Sequence, residues 1–256
     1  MAFKITFMNR YLLLLNTFLF TAIAARGQYT LSGKIEYEKK TNVHAVFKDN
    51  REDENDSWYQ DLVAKAPKFK STFFELTFDT ARSIYKPGKE VEMTYKGWTG
   101  DGPAADNIVL SDFTTGKVKA VKNVFEQKFL VQDSLRNMYW MEKGEIRIIN
   151  NFKCHKAVGK ICDSVYVVAF YTEDIPAPGG PEMFGGLPGM ILELAIPRLH
   201  TTWVADKIEL LAPKDADFTI PEKGKKVTEK QLFETIQSSL KDWGKWAGRY
   251  IWWTVL

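Results

Sequence analysis

Between Asp174 and Gly189 nine of sixteen residues are proline or glycine, DIPAPGGPEMFGGLPG. Proline has no backbone donor for a helix interior or an inner strand, and Pro176, Pro178, Pro181 and Pro188 each fix φ. The segment is therefore a long loop of set shape, and its neighbours must be elements that it can join. Leu187-Pro188-Gly189-Met190 suits a type II turn with Gly189 at φ > 0. Beyond it, Met190, Leu192, Leu194 and Ile196 alternate with Ile191, Glu193 and Ala195, the period of a strand. Read from sequence, the loop is a rigid turn feeding a core strand, with a binding surface as the second reading.

The rest of the chain supplies mostly strands. LSGKIEYEKK and VHAVF alternate as one or two half-buried strands, and FFELTFDTARSIYKPG sets Phe74, Leu76 and Phe78 on one face before Pro87-Gly88 closes it. Arg51 to Asp56 and the segment to Lys68 read as an exposed turn and a short helix, and residues 96–107 as a Gly/Pro/Asp-rich loop. IVLSDF, KVKAV, QKFLVQD and MYWMEKGEIRII then follow at short spacing, which argues for an antiparallel sheet. Near the C-terminus Thr228 to Gln231 form a capping box, and Leu232, Ile236, Leu240, Trp243 and Ala247 recur at helical spacing until Gly244 and Gly248 weaken it. The final RYIWWTVL reads as a strand or packed plug, or else as a partner-docking segment. The predicted fold is mainly β: one domain over 28–256, a strongly curved antiparallel sheet or open half-barrel of roughly eight to eleven strands, with a C-terminal helix over about 228–248 packed on or inside it.

Residues 11–25, YLLLLNTFLFTAIAA, are an apolar run behind Lys4 and Arg10 that ends in small residues. This pattern predicts a signal peptide over 1–27, and the run is short for a membrane span, which needs roughly 20 residues. The mature chain is expected to be exported, to the periplasm, the outer membrane or the medium, without a transmembrane segment. All of the formal +3 charge, Lys4, Arg10 and Arg26, lies in that leader. The neutral remainder gives no broad electrostatic case for nucleic acid.

Two cysteines are consistent with an oxidising compartment. If Ala157-Val158-Gly159 is a three-residue hairpin loop with Gly159 at φ > 0, Cys154 faces Cys162 and a cross-strand disulfide is predicted. Free thiols and a soft-metal site with His155 or a remote Met are the alternatives. The sequence has no HExxH, GxSxG, Walker A, GxGxxG or CxxC motif. His44, His155 and His200 read as surface or satisfied polar residues. Glu173, Asp174, Glu182 and Glu193 cluster near the loop; two across a cleft could do acid and base work. The first three read as solvated, and Glu193 as ion-paired or edge-exposed.

Phe184-Gly185-Gly186-Leu187-Pro188-Gly189-Met190-Ile191-Leu192-Glu193-Leu194 resembles the signature of the GLPGLI family, secreted proteins of uncertain function common in Bacteroidota, with Met190 in place of the usual Leu. The order Val131 to Asp133, Trp140, Lys153-Cys154, Tyr171, Ile175-Pro176 and Gly180-Pro181 is also similar. The resemblance implies a cell-envelope or secreted protein, often encoded near outer-membrane TonB-dependent transporters. It supplies no catalytic residues and no cofactor. The expected function is a non-catalytic envelope binding or accessory protein that holds an apolar ligand or peptide, or works with such a transporter, with Phe184 to Ile191 as the candidate binding loop. A carboxylate-dependent hydrolase and a soft-metal (copper-type) handling protein are the alternatives.

Overall fold

The computed structural model describes residues 31–49, 57–92, 95, 97, 99, 102–162 and 164–256. The expected signal peptide, the acidic run 51–56 and part of the 96–107 loop lie outside the described residues.

The described chain builds one open, mainly β, twelve-stranded sheet in the order β12-β6-β5-β4-β3-β2-β1-β11-β10-β9-β8-β7. The first meander is β1 (Gly33–Asn42), β2 (Phe69–Phe78), β3 (Arg82–Pro87), β4 (Ile108–Asp112), β5 (Lys117–Val124) and β6 (Gln127–Ser134). The second is β7 (Met141–Ile149), β8 (Phe152–Ile161), β9 (Val165–Thr172), β10 (Met190–Ile196) and β11 (Thr201–Leu210). They join where β11 lies antiparallel on β1, Gly33 facing Leu210 and Thr41 facing Thr201. The short β12 (Lys225–Val227) runs parallel to β6. Irregular pairings at Glu36/Tyr37, Ile191/Glu193 and Glu142/Ile146 bend the sheet, because an extra residue on one strand increases twist.

Alternation sets the inner face. Ile35, Tyr37, Lys39 and Thr41 of β1 are buried, as are Thr201, Trp203 and Ala205 of β11. The VHAVF strand expectation is corrected: Val43–Asp49 is helix α1, whose Val43 and Phe47, four apart, pack with Ala66 and with Leu62 of helix α2 (Ser57–Lys65).

The capping box at Thr228 is present and starts helix α3 (Glu229–Ser239). The expected single helix over 228–248 is interrupted, since the chain passes through a 3-10 turn at 241–246 in which Gly244 adopts φ 54 and ψ −131. Helix α4 (Ala247–Thr254) follows, and Trp253, Val255 and Leu256 are buried. RYIWWTVL is thus a packed plug, and a helical one. No helix among the described residues is long and apolar enough to cross a membrane.

The cysteine hairpin is also corrected. β8 runs unbroken from Phe152 to Ile161, paired on both sides, and the turn falls at Cys162, where φ is 48. Cys154 and Cys162 are therefore eight residues apart along one extended segment, about 26 Å, far beyond disulfide reach. No disulfide joins them.

Candidate functional site

The proline/glycine loop is clamped from within. Gly186 N–H donates to the Pro178 carbonyl at 3.1 Å and Ile191 N–H to the Gly179 carbonyl at 2.9 Å. The buried Tyr37 hydroxyl reaches the Ile191 carbonyl at 2.5 Å. The turn expectation at Gly189 is corrected: the left-handed residue is Gly186, at φ 80. Gly189 is needed for another reason, because a Cβ there would lie 2.0 Å from the Thr172 carbonyl oxygen. Phe184, Leu187, Met190 and Ile191 are buried in the core, while Gly186 and Pro188 are more open to solvent.

The loop also drives a carboxylate inward. Glu182, at φ 55 and 2% exposed, accepts from Asn107 Nδ2 at 2.7 Å and from the Tyr85 hydroxyl at 3.5 Å. Its Oε1 is 4.0 Å from Lys39 Nζ. Lys39 Nζ lies over the rings of Trp253, Trp203 and Phe74 at 4.6, 5.2 and 5.3 Å, and Trp203 Nε1 donates to the Tyr85 hydroxyl at 3.0 Å. Lys122 Nζ donates to the Thr254 carbonyl at 3.0 Å. Burial, then the charge of Arg136, pushes the Lys122 ammonium down to about 8, and burial raises Tyr85. The expectation that Glu182 is solvated is therefore corrected. The cluster holds α4 through Trp253 and Thr254, while Lys39 and Phe74 also line a separate cavity of about 360 Å³.

A groove lies outside this cluster. Residues 135–140 cross β8 at Gly159, where a Cβ would meet Met138 at 2.9 Å and Trp140 at 3.0 Å. This close approach explains Gly159, which stands mid-strand and supplies no turn. Trp140 Nε1 donates to the Gly185 carbonyl at 3.0 Å, tying the segment to the loop. Two cavities, of about 420 and 500 Å³, share Asn137, Met138 and Tyr139. The first is walled by Gly186, Leu187 and Pro188, the second by Lys160 to Cys162 and the Glu229 and Phe233 side of α3. Tyr139 between them is 83% exposed. Arg136 anchors the floor, donating to Glu229 at 2.6 Å and to the Val255 carbonyl, with Phe184 beneath its guanidinium at 5.4 Å.

The remaining sequence candidates are dispersed. Both Glu193 carboxylate oxygens accept from Arg147 at 2.6 Å, as an ion-paired residue should, so Glu193 and Glu182 sit in separate ion pairs. His44 faces the Ala66 carbonyl, His200 faces Asp49 at 2.7 Å, and His155 packs on Tyr171. Burial pushes the Cys154 thiol up to about 12, which makes it unreactive. Among the described residues no three His, Cys, Asp or Glu could share a metal, and the cysteine separation removes the geometry that a soft-metal site required. Sequence reasoning missed Lys39, Lys122, Tyr85, Asn107, Arg136 and Tyr139. Register could have found the two lysines, which continue the rows Ile35-Tyr37 and Val118-Ala120.

Fold and site together define an open β half-barrel whose hollow is occupied by its own C-terminal helix and whose rim carries a loop-walled groove. Residues 153–193 match the family described as "Protein of unknown function (Porph_ging)", a stretch that spans Lys153-Cys154 and most of the motif behind the GLPGLI resemblance. No curated protein matches the chain. Among solved structures, two crystal forms of PNGF-II are similar at 12% identity and a TM-score of 0.50, over 87% and 88% of this chain. The chain spans about one third of the PNGF-II length, 33% and 34%, and at this identity the likeness shows the fold alone. An uncharacterized conserved protein from Thermus thermophilus is 8% identical over 81% of this chain and 98% of its own, at a TM-score of 0.38, too low to carry any argument.

Proposed function

We propose that this is an exported, non-catalytic binding or accessory protein of the cell envelope, and that its working surface is the groove between residues 137–140, Gly186 to Pro188 and α3. The carrying observation is Tyr139, an aromatic ring 83% exposed between two adjoining cavities beside a loop held rigid from within. A rigid aromatic gives large contact area at low entropic cost. The mixed rim of Asp133, Arg136, Lys160, Glu229 and Lys230 suits a partner's extended segment better than a wholly apolar ligand. An outer-membrane transporter is the partner class that the family resemblance favours. Burial of Trp253, Val255 and Leu256 in the hollow of the half-barrel favours the rim groove over the hollow as the working surface.

The test is affinity purification of tagged chain from a native host envelope. Tyr139→Ala and Gly186→Asn, the latter keeping a residue tolerant of positive φ, should each abolish recovery of the partner. Glu193→Gln with Asp174→Asn should leave recovery and biological role intact. Loss of the role on the carboxylate changes, with fold and partner recovery preserved, would replace this reading by the hydrolase.

A further inference from the structure

β7 is the outermost strand on its side of the sheet: β8 covers one edge, and among the described residues no strand pairs with the other. Eight of its nine residues are exposed, with Ile146 at 52% and Ile148 at 65%. Open edges are normally guarded by lysine, proline or a bulge. Lys143, the kink at Gly144, φ 67, and the irregular pairing between Glu142 and Ile146 guard the first half, but Ile146 to Ile149 carry neither device.

The hairpin fixes which backbone groups are free. Asn150 and Asn151, at φ 48 and 67, join the facing pair Ile149 and Phe152 in a two-residue turn. Such a turn makes its flanking pair hydrogen-bonded, and pairs alternate from there. Ile149 and Arg147 therefore aim their N–H and C=O at β8, whereas Ile148 and Ile146 aim theirs outward.

We propose that β7 pairs antiparallel with β7 of a second copy, about a two-fold axis at Ile146. Glu145-Ile146-Arg147 is its own antiparallel complement: in this register Glu145, which also pairs with Lys156, comes opposite Arg147 of the second copy, which also pairs with Glu193, twice over, and Ile146 faces itself. Centring on Arg147 or Glu145 would set like charges opposite, which is destabilising. The chosen register also joins Ile146 and Ile148 of both copies into one apolar stripe on one face, and gives the outward groups of Ile146 reciprocal partners. Such self-complementarity favours a second copy over an unrelated strand.

Disulfide trapping in the full chain tests the register, with Cys162→Ser removing the half-buried thiol and Cys154 protected by burial. At a hydrogen-bonded pair the two residue-146 Cα atoms are about 5.5 Å apart, within disulfide reach. The two residue-148 positions are offset by four residues, about 13 Å. Under mild oxidation Ile146→Cys should give a covalent dimer and Ile148→Cys should not, and the unsubstituted chain should sediment at twice its monomer mass. Monomeric sedimentation throughout the soluble concentration range, or readier trapping of Ile148→Cys than of Ile146→Cys, would overturn the proposal.

Discussion

Replacing Lys122 by methionine isolates one buried charge. Lys122 lies in the inward row Val118, Ala120, Lys122, Val124 and is 1% exposed. Burial lowers its ammonium from 10.5 to about 8, so keeping it charged costs the folded state about 3 kcal/mol at neutral pH. Between those two values the unfolded chain holds a proton that the folded chain has released, and rising pH therefore favours folding. From pH 7.5 to 9 the gain works out at about 1 kcal/mol. Above 9.0 the Cys154 thiol opposes it, since the unfolded thiol ionises there while the folded one waits until about 12. The clean window thus ends near pH 9. Urea unfolding followed by the fluorescence of buried Trp203 and Trp253 should show wild-type stability climbing across the window and Lys122→Met staying flat by comparison. At pH 7.5 the variant loses the bond to the Thr254 carbonyl, worth about 1.5 to 3 kcal/mol, so its net change is small and the slope is the readout. Parallel slopes for the two proteins would refute the reasoning.

Two further stability tests bear on the loop. Gly189→Ala should cost about 3 kcal/mol or more, because its Cβ meets backbone that cannot move aside, whereas Gly186→Ala should cost about 1 kcal/mol, having open space and only the positive φ to oppose it. Denaturant midpoints compare the two, and equal costs would return the turn to Gly189. Glu182→Gln removes the charge opposite Lys39 and should cost about 3 to 5 kcal/mol, with Lys39→Met in the same chain recovering part of that loss. A double-mutant cycle that shows no coupling would separate the two residues.

Period-two alternation makes most of the strands legible, because a sheet with one packed face writes its register into the residue order. VHAVF misleads because five residues with valines three apart fit a strand or a helix turn equally well, and only packing of Val43 and Phe47 with Ala66 and α2 decides. The cysteine hairpin misleads because Gly159 has the character of a turn residue. What requires glycine there is the passage of Met138 and Trp140, a contact with no local sequence mark. Gly189 misleads in the same way, its requirement lying in Thr172 on the neighbouring strand. Glu182 is invisible for a related reason: a polar residue in a loop reads as solvated until the loop is seen to turn inward at positive φ.

The inward lysines look like errors of patterning until the last turn of the chain is set against them. Helix α4 ends inside the half-barrel, and the last carbonyls of a helix have no intrahelical donors. The Thr254 carbonyl accepts from Lys122, the Val255 carbonyl from Arg136 and the Leu256 carbonyl from Met183 N–H, one residue beyond Glu182. Two cations thus sit at the negative end of the helix, the sign its dipole favours. Lys39 grips the same element through the face of Trp253. An apolar residue at position 122 could pack as well, but it would leave the Thr254 carbonyl unbonded in the interior. The cost of burying Lys122 charged is therefore offset by fixing where the plug ends, and with it the floor of the groove, since Val255 and Arg136 both line the cavity beside Tyr139.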